Sequence, residues 1–328
     1  MEAIDRLPTL ADVEAAAARL RGVAVRTPLL ESEALNARVG GRILVKAECL
    51  QRTGSFKFRG AYNTISQIQA PAVVAYSSGN HGQGVAAAAR LLGKTATIVM
   101  PADAPAIKVE RTRADGAEIR LYDRTRESRE AIGAEIAART GAALVKPYDD
   151  PRIIAGQGTA GLELAEQANE QGARLDAALI PCGGGGLIAG CSLALSQLCP
   201  GIEIYAVEPA AFDDTRRSLA AGLRVANPPG GRSICDALLV PTPGELTFEL
   251  NRRLLAGGLA VGDEDALRAM SFAFRHLKLV VEPGGAVALA ALLSGRFDAR
   301  GRTVAIMLSG GNVDPELFAL ALRPAAGG

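Results

Sequence analysis

Residues 177–198 read AALIPCGGGGLIAGCSLALSQL, and this stretch decides the fold class. The short apolar run at 177–182 is typical of a strand buried on both faces. The run from 187 to 198 has the length and apolar content of a helix. Four glycines, Gly183 to Gly186, join the two where a strand would turn into a helix. The stretch therefore predicts one strand–turn–helix unit of an α/β protein.

Two further stretches repeat this pattern. Residues 72–76 (AVVAY) run into SSGNHG, and residues 303–308 (TVAIML) run into SGGN. Strand and helix signals alternate in two groups, roughly 72–146 and 177–308. Continuous apolar strands that alternate with helices indicate parallel sheets covered on both faces. We therefore expect an α/β fold with two open, mostly parallel sheets, helices on both faces of each, and a cleft between them.

The sequence pattern predicts, among others, three helices. They are expected at 83–92, 126–140 and 158–171.

Composition and charge exclude several classes of function. The chain has 328 residues, a formal net charge of +1, 48% apolar residues and 22% charged residues. A nearly neutral chain without basic runs predicts no nucleic-acid partner and no anionic membrane partner. No apolar run approaches the roughly 20 residues of a membrane span, and the first residues do not resemble a secretory signal. Five scattered cysteines without a paired spacing indicate a reduced, cytoplasmic protein.

The glycine-rich turns predict an anion site. In open α/β sheets, ligands bind beyond the carboxyl ends of the strands, and all three turns fall there. Glycines let backbone N–H groups approach an anion, which the following helix N-terminus also favours. The 183–186 turn is thus the natural phosphate cradle, although tight packing alone would also explain it. A dinucleotide site is a third interpretation, because Gly184, Gly186 and Ala189 fit G-x-G-x-x-A and Glu208 follows about 20 residues later.

Lys57 is a candidate nucleophile within Gly54-Ser55-Phe56-Lys57-Phe58. A lysine amine becomes nucleophilic when it is desolvated or placed near positive charge. Two flanking phenylalanines would desolvate it, and Arg59 adds positive charge nearby. Taken alone, the same residues are equally compatible with an ordinary surface lysine.

Four ordered motifs resemble one family of enzymes. They are SFKFRGA at 55–61, SGNHGQG at 78–84, GGGGL at 183–187 and SGGN at 309–312. This order is similar to that of the threonine dehydratase and serine racemase family, which are fold-type II pyridoxal-phosphate enzymes related in fold to the tryptophan synthase β chain. The resemblance extends from Arg26 to Asn312. It implies a large domain at 1–68 and 150–328, a small domain at 69–149, and an active site in the cleft between them.

The resemblance also implies how pyridoxal 5′-phosphate is held. Lys57 would bind the cofactor as a Schiff base and then take the Cα proton of the substrate. Phe56 would flank the pyridine ring and Asn80 would contact the cofactor's 3-oxygen. The backbone of Gly183, Gly184, Gly185 and Gly186 would bind the phosphate. Ser309 would face the pyridine nitrogen.

The expected substrate contacts follow from the same resemblance. Ser77, Asn80 and His81 would hold the substrate carboxylate. Ser78 stands where racemases of this family carry a second acid–base group, which keeps racemisation open. Arg129 matches a residue that approaches the substrate from the smaller lobe. A cation there would favour an acidic substrate, but a charged helix face would explain Arg129 equally well.

A second site is expected at Glu208, Phe212 and Asp214, whose spacing resembles the family's cation site. Two carboxylates and a backbone carbonyl suit a hard divalent cation such as Mg²⁺, with Mn²⁺ or Ca²⁺ as alternatives. A solvated acidic turn would explain the same residues.

We therefore expect a threonine or serine dehydratase, an ammonia-lyase that converts a β-hydroxy amino acid to a 2-oxo acid and ammonia. The resemblance leaves open a serine or aspartate-type racemase and a 3-hydroxyaspartate dehydratase. A nicotinamide-dependent oxidoreductase, which rests on the G-x-G-x-x-A match, and a non-catalytic amino-acid-binding protein are the alternatives from other classes. The expected partners are a small amino-acid substrate and, by resemblance, a second copy of the chain in a homodimer.

Overall fold

The computed structural model describes residues 6–77, 79–104, 106–123 and 125–323. Their strands, in chain order, are β1 (Leu29–Glu31), β2 (Arg42–Lys46), β3 (Ala72–Tyr76), β4 (Thr95–Pro101), β5 (Glu118–Tyr122), β6 (Ala143–Leu144), β7 (Ala177–Pro181), β8 (Glu203–Pro209), β9 (Gly257–Val261) and β10 (Thr303–Met307).

The α-helices of the described residues connect and cover these strands. In chain order they are α1 (Leu10–Leu20), α2 (Glu33–Val39), α3 (Lys57–Ile65), α4 (Asn80–Leu91), α5 (Ala106–Ala114), α6 (Arg129–Thr140), α7 (Pro151–Glu170), α8 (Gly186–Leu198), α9 (Asp214–Ala221), α10 (Glu245–Leu254), α11 (Asp263–Phe272), α12 (Pro283–Leu293) and α13 (Pro315–Leu322).

Two separate sheets form, and the predicted fold class is confirmed. The larger sheet has the strand order β1-β2-β10-β7-β8-β9, with every neighbouring pair parallel except β1 and β2. The smaller sheet has the order β5-β4-β3-β6 and is parallel throughout. The division of the chain into a large domain and a small domain (69–149) stays a prediction.

Strand β10 shows why the central strands are apolar at every position. Val304 and Ile306 pack into one core cluster, with residues of α11 and α12. Ala305 and Met307 point to the opposite face and pack with residues of α7 and α8. Because both faces are covered by helices, the period-two alternation of a half-exposed strand is lost.

Two predicted helix starts are wrong because glycines lie inside the helices. The helix expected at 158–171 begins at Pro151, where the Asp150 carboxylate accepts hydrogen bonds from the N–H groups of Arg152 and Ile153. The helix expected at 83–92 begins at Asn80. The helix expected at 126–140 starts late, at Arg129, because Ser128 caps it by accepting the N–H of Ala131.

The glycines within α7 mark close contacts between helix backbones. A Cβ on Gly158 would lie 2.7 Å from the carbonyl oxygen of Gly190 in α8, and one on Gly156 would lie 2.6 Å from the Cα of Gly60 in α3. Glycine costs helix stability through its backbone entropy, but it is the residue that permits these distances. The glycines therefore set how α3, α7 and α8 pack.

A buried ionic cluster lies beside these helices. Arg59 of α3 is fully buried and forms ion pairs with Glu48 at 2.8 Å and with Glu163 of α7 at 2.7 Å. Lys46 of β2, also fully buried, pairs with Glu163 and donates to Thr27 and Gln167. Each charge is thus matched by an opposite charge or a hydrogen bond, as burial requires.

None of the described helices has the length and apolar character needed to cross a membrane. All five cysteines are among the described residues and are free thiols.

Candidate functional site

The three glycine-rich turns converge on one cavity between the two sheets. Its wall includes Ser77, Gly79 and Asn80 after β3, the loop 183–186 after β7, and Ser309 after β10. The turns meet because the carboxyl ends of parallel strands lie at one edge of each sheet. Of the remaining site residues expected from the sequence, Phe56, Lys57, His81 and Arg129 line the same cavity.

Lys57 is the first residue of α3, and its amine faces the cavity. The Nζ atom donates to the carbonyl oxygen of Pro147 at 2.8 Å and lies 5.2 Å from the centre of the Phe56 ring. Burial lowers the pKa of this amine to about 8, although the nearby Glu282 carboxylate raises it. About a tenth of the amine is then neutral at pH 7, compared with less than about a thousandth for an ordinary lysine. A lysine amine in this state can act as a nucleophile near neutral pH.

His81 is a neutral imidazole in this wall. Its Nε2 lies 3.0 Å from the carbonyl oxygen of Val145, so Nε2 carries the proton and donates it. Burial, and then the charge of Lys57, lower the pKa of His81 to about 3. Its Nδ1 is buried and has no hydrogen-bond partner within the described residues. His81 can accept a hydrogen bond through Nδ1, but it cannot hold a carboxylate as a cation.

The loop 183–186 is shaped as an anion cradle. The Gly184 carbonyl accepts the hydroxyl of Thr247 at 2.7 Å, and the Gly185 carbonyl accepts the N–H of Ala189. Among the residues that the structure describes, no backbone acceptor is found for the N–H groups of Gly183, Gly184, Gly185 and Gly186. These donors lie on the cavity wall at the N-terminus of α8 and suit a phosphate.

Tyr148 covers part of this cradle and was not expected from the sequence. A Cβ on Gly184 would lie 2.4 Å from the Tyr148 ring, so a side chain at position 184 is excluded. Tyr148 directly follows Pro147, whose carbonyl holds Lys57. An aromatic residue after a proline in a loop carries no signal of such a role, because the loop is placed only by the tertiary fold.

Asn80 belongs to a buried hydrogen-bonded chain. Its Nδ2 donates to Glu282 at 2.6 Å, and its Oδ1 accepts from Asn312 at 2.7 Å. Glu282 is 4% exposed, lies next to Pro283 at the start of α12, and was also not expected from the sequence. These hydrogen bonds fix the orientation of the Asn80 amide and leave one Nδ2 hydrogen for a contact in the cavity.

Two serines reach the cavity from the carboxyl ends of strands in different sheets, Ser77 after β3 and Ser309 after β10. Ser77 accepts the N–H of Gly79 through its hydroxyl at 3.2 Å. Ser309, 4% exposed, directly follows Leu308 and β10, and its carbonyl accepts the N–H of Phe56 at 3.2 Å. Ser78, the candidate second base, lies outside the described residues.

Arg129 is the first residue of α6 and lines the cavity. Its guanidinium is stacked 5.5 Å from the ring centre of Tyr76, and its Nε donates to Glu130 at 2.8 Å. The side chain is 48% exposed and lines the cavity. Tyr76 was not expected from the sequence. Together they place a cation and an aromatic ring on the cavity wall.

The three candidate metal ligands form a separate group outside this cavity. Glu208 accepts the N–H groups of Thr215 and Arg216, both at 2.8 Å. Burial, together with the nearby Asp214, raises the pKa of Glu208 to about 8, and burial raises that of Asp214 to about 6. The Oδ2 atom of Asp214 is buried without a partner among the described residues. Phe212 ends a 3₁₀ turn just before Asp214.

These contacts fit a cation better than a ribose. A hard cation would neutralise two buried carboxylates with raised pKa values and would coordinate the unpaired carboxylate oxygen. No cluster of three or more histidine, cysteine, aspartate or glutamate side chains suited to a metal occurs in the described part of the chain. Glu208 does not line the cavity at the glycine loop, which removes the ribose-binding carboxylate of the dinucleotide interpretation.

Comparison with known proteins agrees with this geometry. The sequence profile of the family described as pyridoxal-phosphate dependent enzyme matches residues 20–310. An L-threo-3-hydroxyaspartate ammonia-lyase from Pseudomonas sp is 44% identical over 97% of this chain and 99% of its own. A serine racemase from Schizosaccharomyces pombe is 37% identical over 95% and 97% of the two chains. The crystal structure of maize serine racemase superposes with a TM-score of 0.90 at 38% identity, covering 97% of this chain and 97% of that one.

Proposed function

Because the chain belongs to the family of pyridoxal-phosphate-dependent enzymes, we propose that it is an ammonia-lyase acting on a β-hydroxy amino acid with a second carboxylate, 3-hydroxyaspartate. The observation that carries this proposal is Arg129, whose guanidinium lines the cavity. The named activity of the 44% identical relative supports the same substrate. The products would be oxaloacetate and ammonia. Threonine and serine, which the sequence first suggests, lack the group that Arg129 would bind.

The cavity fits the cofactor that the family implies. The donors of Gly183, Gly184 and Gly185 would hold its phosphate, and Phe56 would pack on its ring. Asn80 has one free amide hydrogen for its 3-oxygen, and Ser309 offers a hydroxyl to its ring nitrogen. Lys57 supplies the amine that attaches it.

Pyridoxal phosphate, when bound, withdraws electrons from the Cα atom of the attached amino acid and so acidifies the Cα proton. Lys57, with its lowered pKa, would take that proton as a general base. A neutral hydroxyl at Ser309 does not keep the ring nitrogen protonated as a carboxylate would. This favours departure of the β-hydroxyl as the Cα proton leaves. Ser77 and the start of α4 would orient the α-carboxylate.

A keto-acid assay on the purified protein tests the substrate. Wild type should convert L-threo-3-hydroxyaspartate with a higher kcat/KM than L-threonine or L-serine. Arg129→Met should lower kcat/KM for hydroxyaspartate by about tenfold or more, because a charge-assisted hydrogen bond is lost, and leave threonine nearly unchanged.

Arg126→Met is the matched control, because the Arg126 side chain is 84% exposed. A wild type that releases no ammonia from any of the three amino acids contradicts the lyase. A preference for threonine that survives Arg129→Met contradicts only the assignment of the acidic substrate.

Racemisation is a second candidate, supported by the 37% identical serine racemase and by the presence of Ser78 in the SGNHGQG motif of the sequence. Chiral analysis of the unreacted amino acid in the same assays tests it. Loss of D-isomer formation in Ser78→Ala, with ammonia release kept, is the expected result for a two-base enzyme. Racemisation that persists in Ser78→Ala would exclude Ser78 as the second base.

We also propose that Glu208, Asp214 and the backbone carbonyl of Phe212 hold a divalent cation, completed by water. Mg²⁺ should then raise the Tm of the protein and EDTA should reverse the shift, because a ligand that binds the folded state stabilises it. Glu208→Gln and Asp214→Asn should remove the response, and Glu203→Gln, on the same strand, should keep it. An unchanged wild-type Tm with Mg²⁺, Mn²⁺ and Ca²⁺ would contradict the site.

A further inference from the structure

Helix α10 lies behind the glycine loop, on the side away from the cavity. Thr247 and Asn251, four residues apart, are both 0% exposed and both lie beside Gly185. Neither lines the cavity. The Thr247 hydroxyl already donates to the Gly184 carbonyl at 2.7 Å. This helix therefore supports the cradle from outside.

Asn251 is the unexplained member of this pair. Both Nδ2 and Oδ1 of its amide are buried and have no hydrogen-bond partner within the described residues. Such groups are rare in folded proteins, because a buried amide without a partner has lost its hydrogen bonds to water and gained none in return. The Nδ2 atom lies 2.8 Å from the position that a Cβ on Gly185 would take, so the amide lies directly against the loop.

The peptide units of the loop connect α10 to an anion in the cavity. The Gly184 carbonyl and the Gly185 N–H belong to one peptide group, as do the Gly185 carbonyl and the Gly186 N–H. When such an N–H donates to an anion, its own carbonyl becomes a stronger acceptor, because hydrogen bonds in a chain polarise one another. The Gly185 carbonyl accepts the N–H of Ala189, and a carbonyl oxygen has two lone pairs.

We propose that Asn251 is a positioning residue of the phosphate cradle, whose Nδ2 donates to the Gly185 carbonyl when a phosphate group occupies the loop. Thr247 supports the preceding peptide in the same way, already in this structure. The hydrogen bond of the Asn251 amide then forms together with phosphate binding and adds to the affinity for the cofactor. This inference rests on the family's cofactor and not on the identity of the substrate.

The test compares stability without cofactor and affinity for the phosphate group in Asn251→Leu. Removal of an unpaired buried amide should keep or raise the Tm of the cofactor-free protein. The same change should weaken binding of pyridoxal phosphate and of inorganic phosphate by about fivefold or more, measured by titration of the cofactor-free protein. Thr64→Val is the control. It removes a buried hydroxyl in α3 that also has no partner among the described residues, and it should leave both affinities unchanged.

Opposite changes in stability and affinity separate this role from a merely structural one. Affinities of Asn251→Leu within twofold of wild type for both ligands would overturn the proposal. If the leucine variant does not fold, Asn251→Ser and Asn251→Ala form a second pair, because serine keeps a donor and alanine does not. The serine variant should bind inorganic phosphate several-fold more tightly than the alanine variant, and equal affinities would also overturn the proposal.

Discussion

At the scale of single residues, the amine of Lys57 is hydrogen-bonded and has a lowered pKa. Its Nζ is 2.8 Å from the Pro147 carbonyl, and burial sets its pKa at about 8. A group with a lowered pKa is more often neutral at a given pH, and only the neutral amine attacks a carbonyl. The residue is therefore prepared for attachment before the cofactor arrives.

Attachment of pyridoxal phosphate to the cofactor-free protein should follow this pKa. The rate should rise about tenfold per pH unit up to about pH 8 and level off above it, because the neutral fraction then approaches one. Stopped-flow absorbance of the attached cofactor measures this rate. Glu282→Gln should move the plateau to lower pH, because the Glu282 charge raises the pKa of Lys57. A wild-type rate that still rises at pH 10 would contradict the prediction.

The sequence predicted single residues well where they stand in ordered motifs. Phe56, Lys57, Asn80 and Ser309 were all expected in the cavity, and all line it. Tyr76, Tyr148, Glu282 and Asn251 were not expected. Each of these lies in an ordinary strand, loop or helix and reaches the site only through contacts with distant parts of the chain, which leave no local pattern.

At the scale of elements, the crossing of α7 and α8 depends on glycine. A Cβ on Gly190 would lie 2.1 Å from the carbonyl oxygen of Ile154, closer than any real contact. The sequence analysis expected this helix only from residue 158, whereas it begins at Pro151 and contains Gly156 and Gly158. The error arises because glycine serves both turns and close contacts between helices, and periodicity alone does not separate the two.

Gly190→Ala should therefore lower the free energy of unfolding by about 3 kcal/mol or more, because two helices must move apart. Urea denaturation of the purified protein measures the change. Gly257→Ala is the control, since the nearest atom to its Cβ would be 3.5 Å away, and it should change stability by about 1 kcal/mol or less. Equal losses in the two variants would contradict the role of the crossing.

At the scale of the whole molecule, the two sheets and the cleft were predictable because buried parallel strands have a simple apolar signature. The buried ionic cluster was not, since Lys46, Glu48, Arg59 and Glu163 resemble surface charges in the sequence and come together only in the fold. This cluster joins β2, α3 and α7 behind the start of the helix that carries Lys57.

Removal of one charge from this cluster should destabilise the whole fold. Glu48→Gln leaves Arg59 without a full counter-charge in a fully buried position, which costs about 3–5 kcal/mol. Thermal unfolding followed by circular dichroism should show a large drop in Tm. Glu166→Gln is the matched control, because that side chain is 51% exposed and 3.9 Å from Arg26, and its Tm should hardly change. A small shift for Glu48→Gln would show that the cluster relaxes or rehydrates.

The direct contact of helix backbones at Gly158 and Gly190 also bears on how the protein responds to hydrostatic pressure. Pressure unfolds proteins largely by eliminating internal voids, and backbones that touch without intervening side chains enclose little empty space. Around the larger sheet, the α7–α8 crossing is therefore the contact whose packing should be lost last as pressure rises. The cavity around Lys57 contains empty space, so its walls should lose their native packing first.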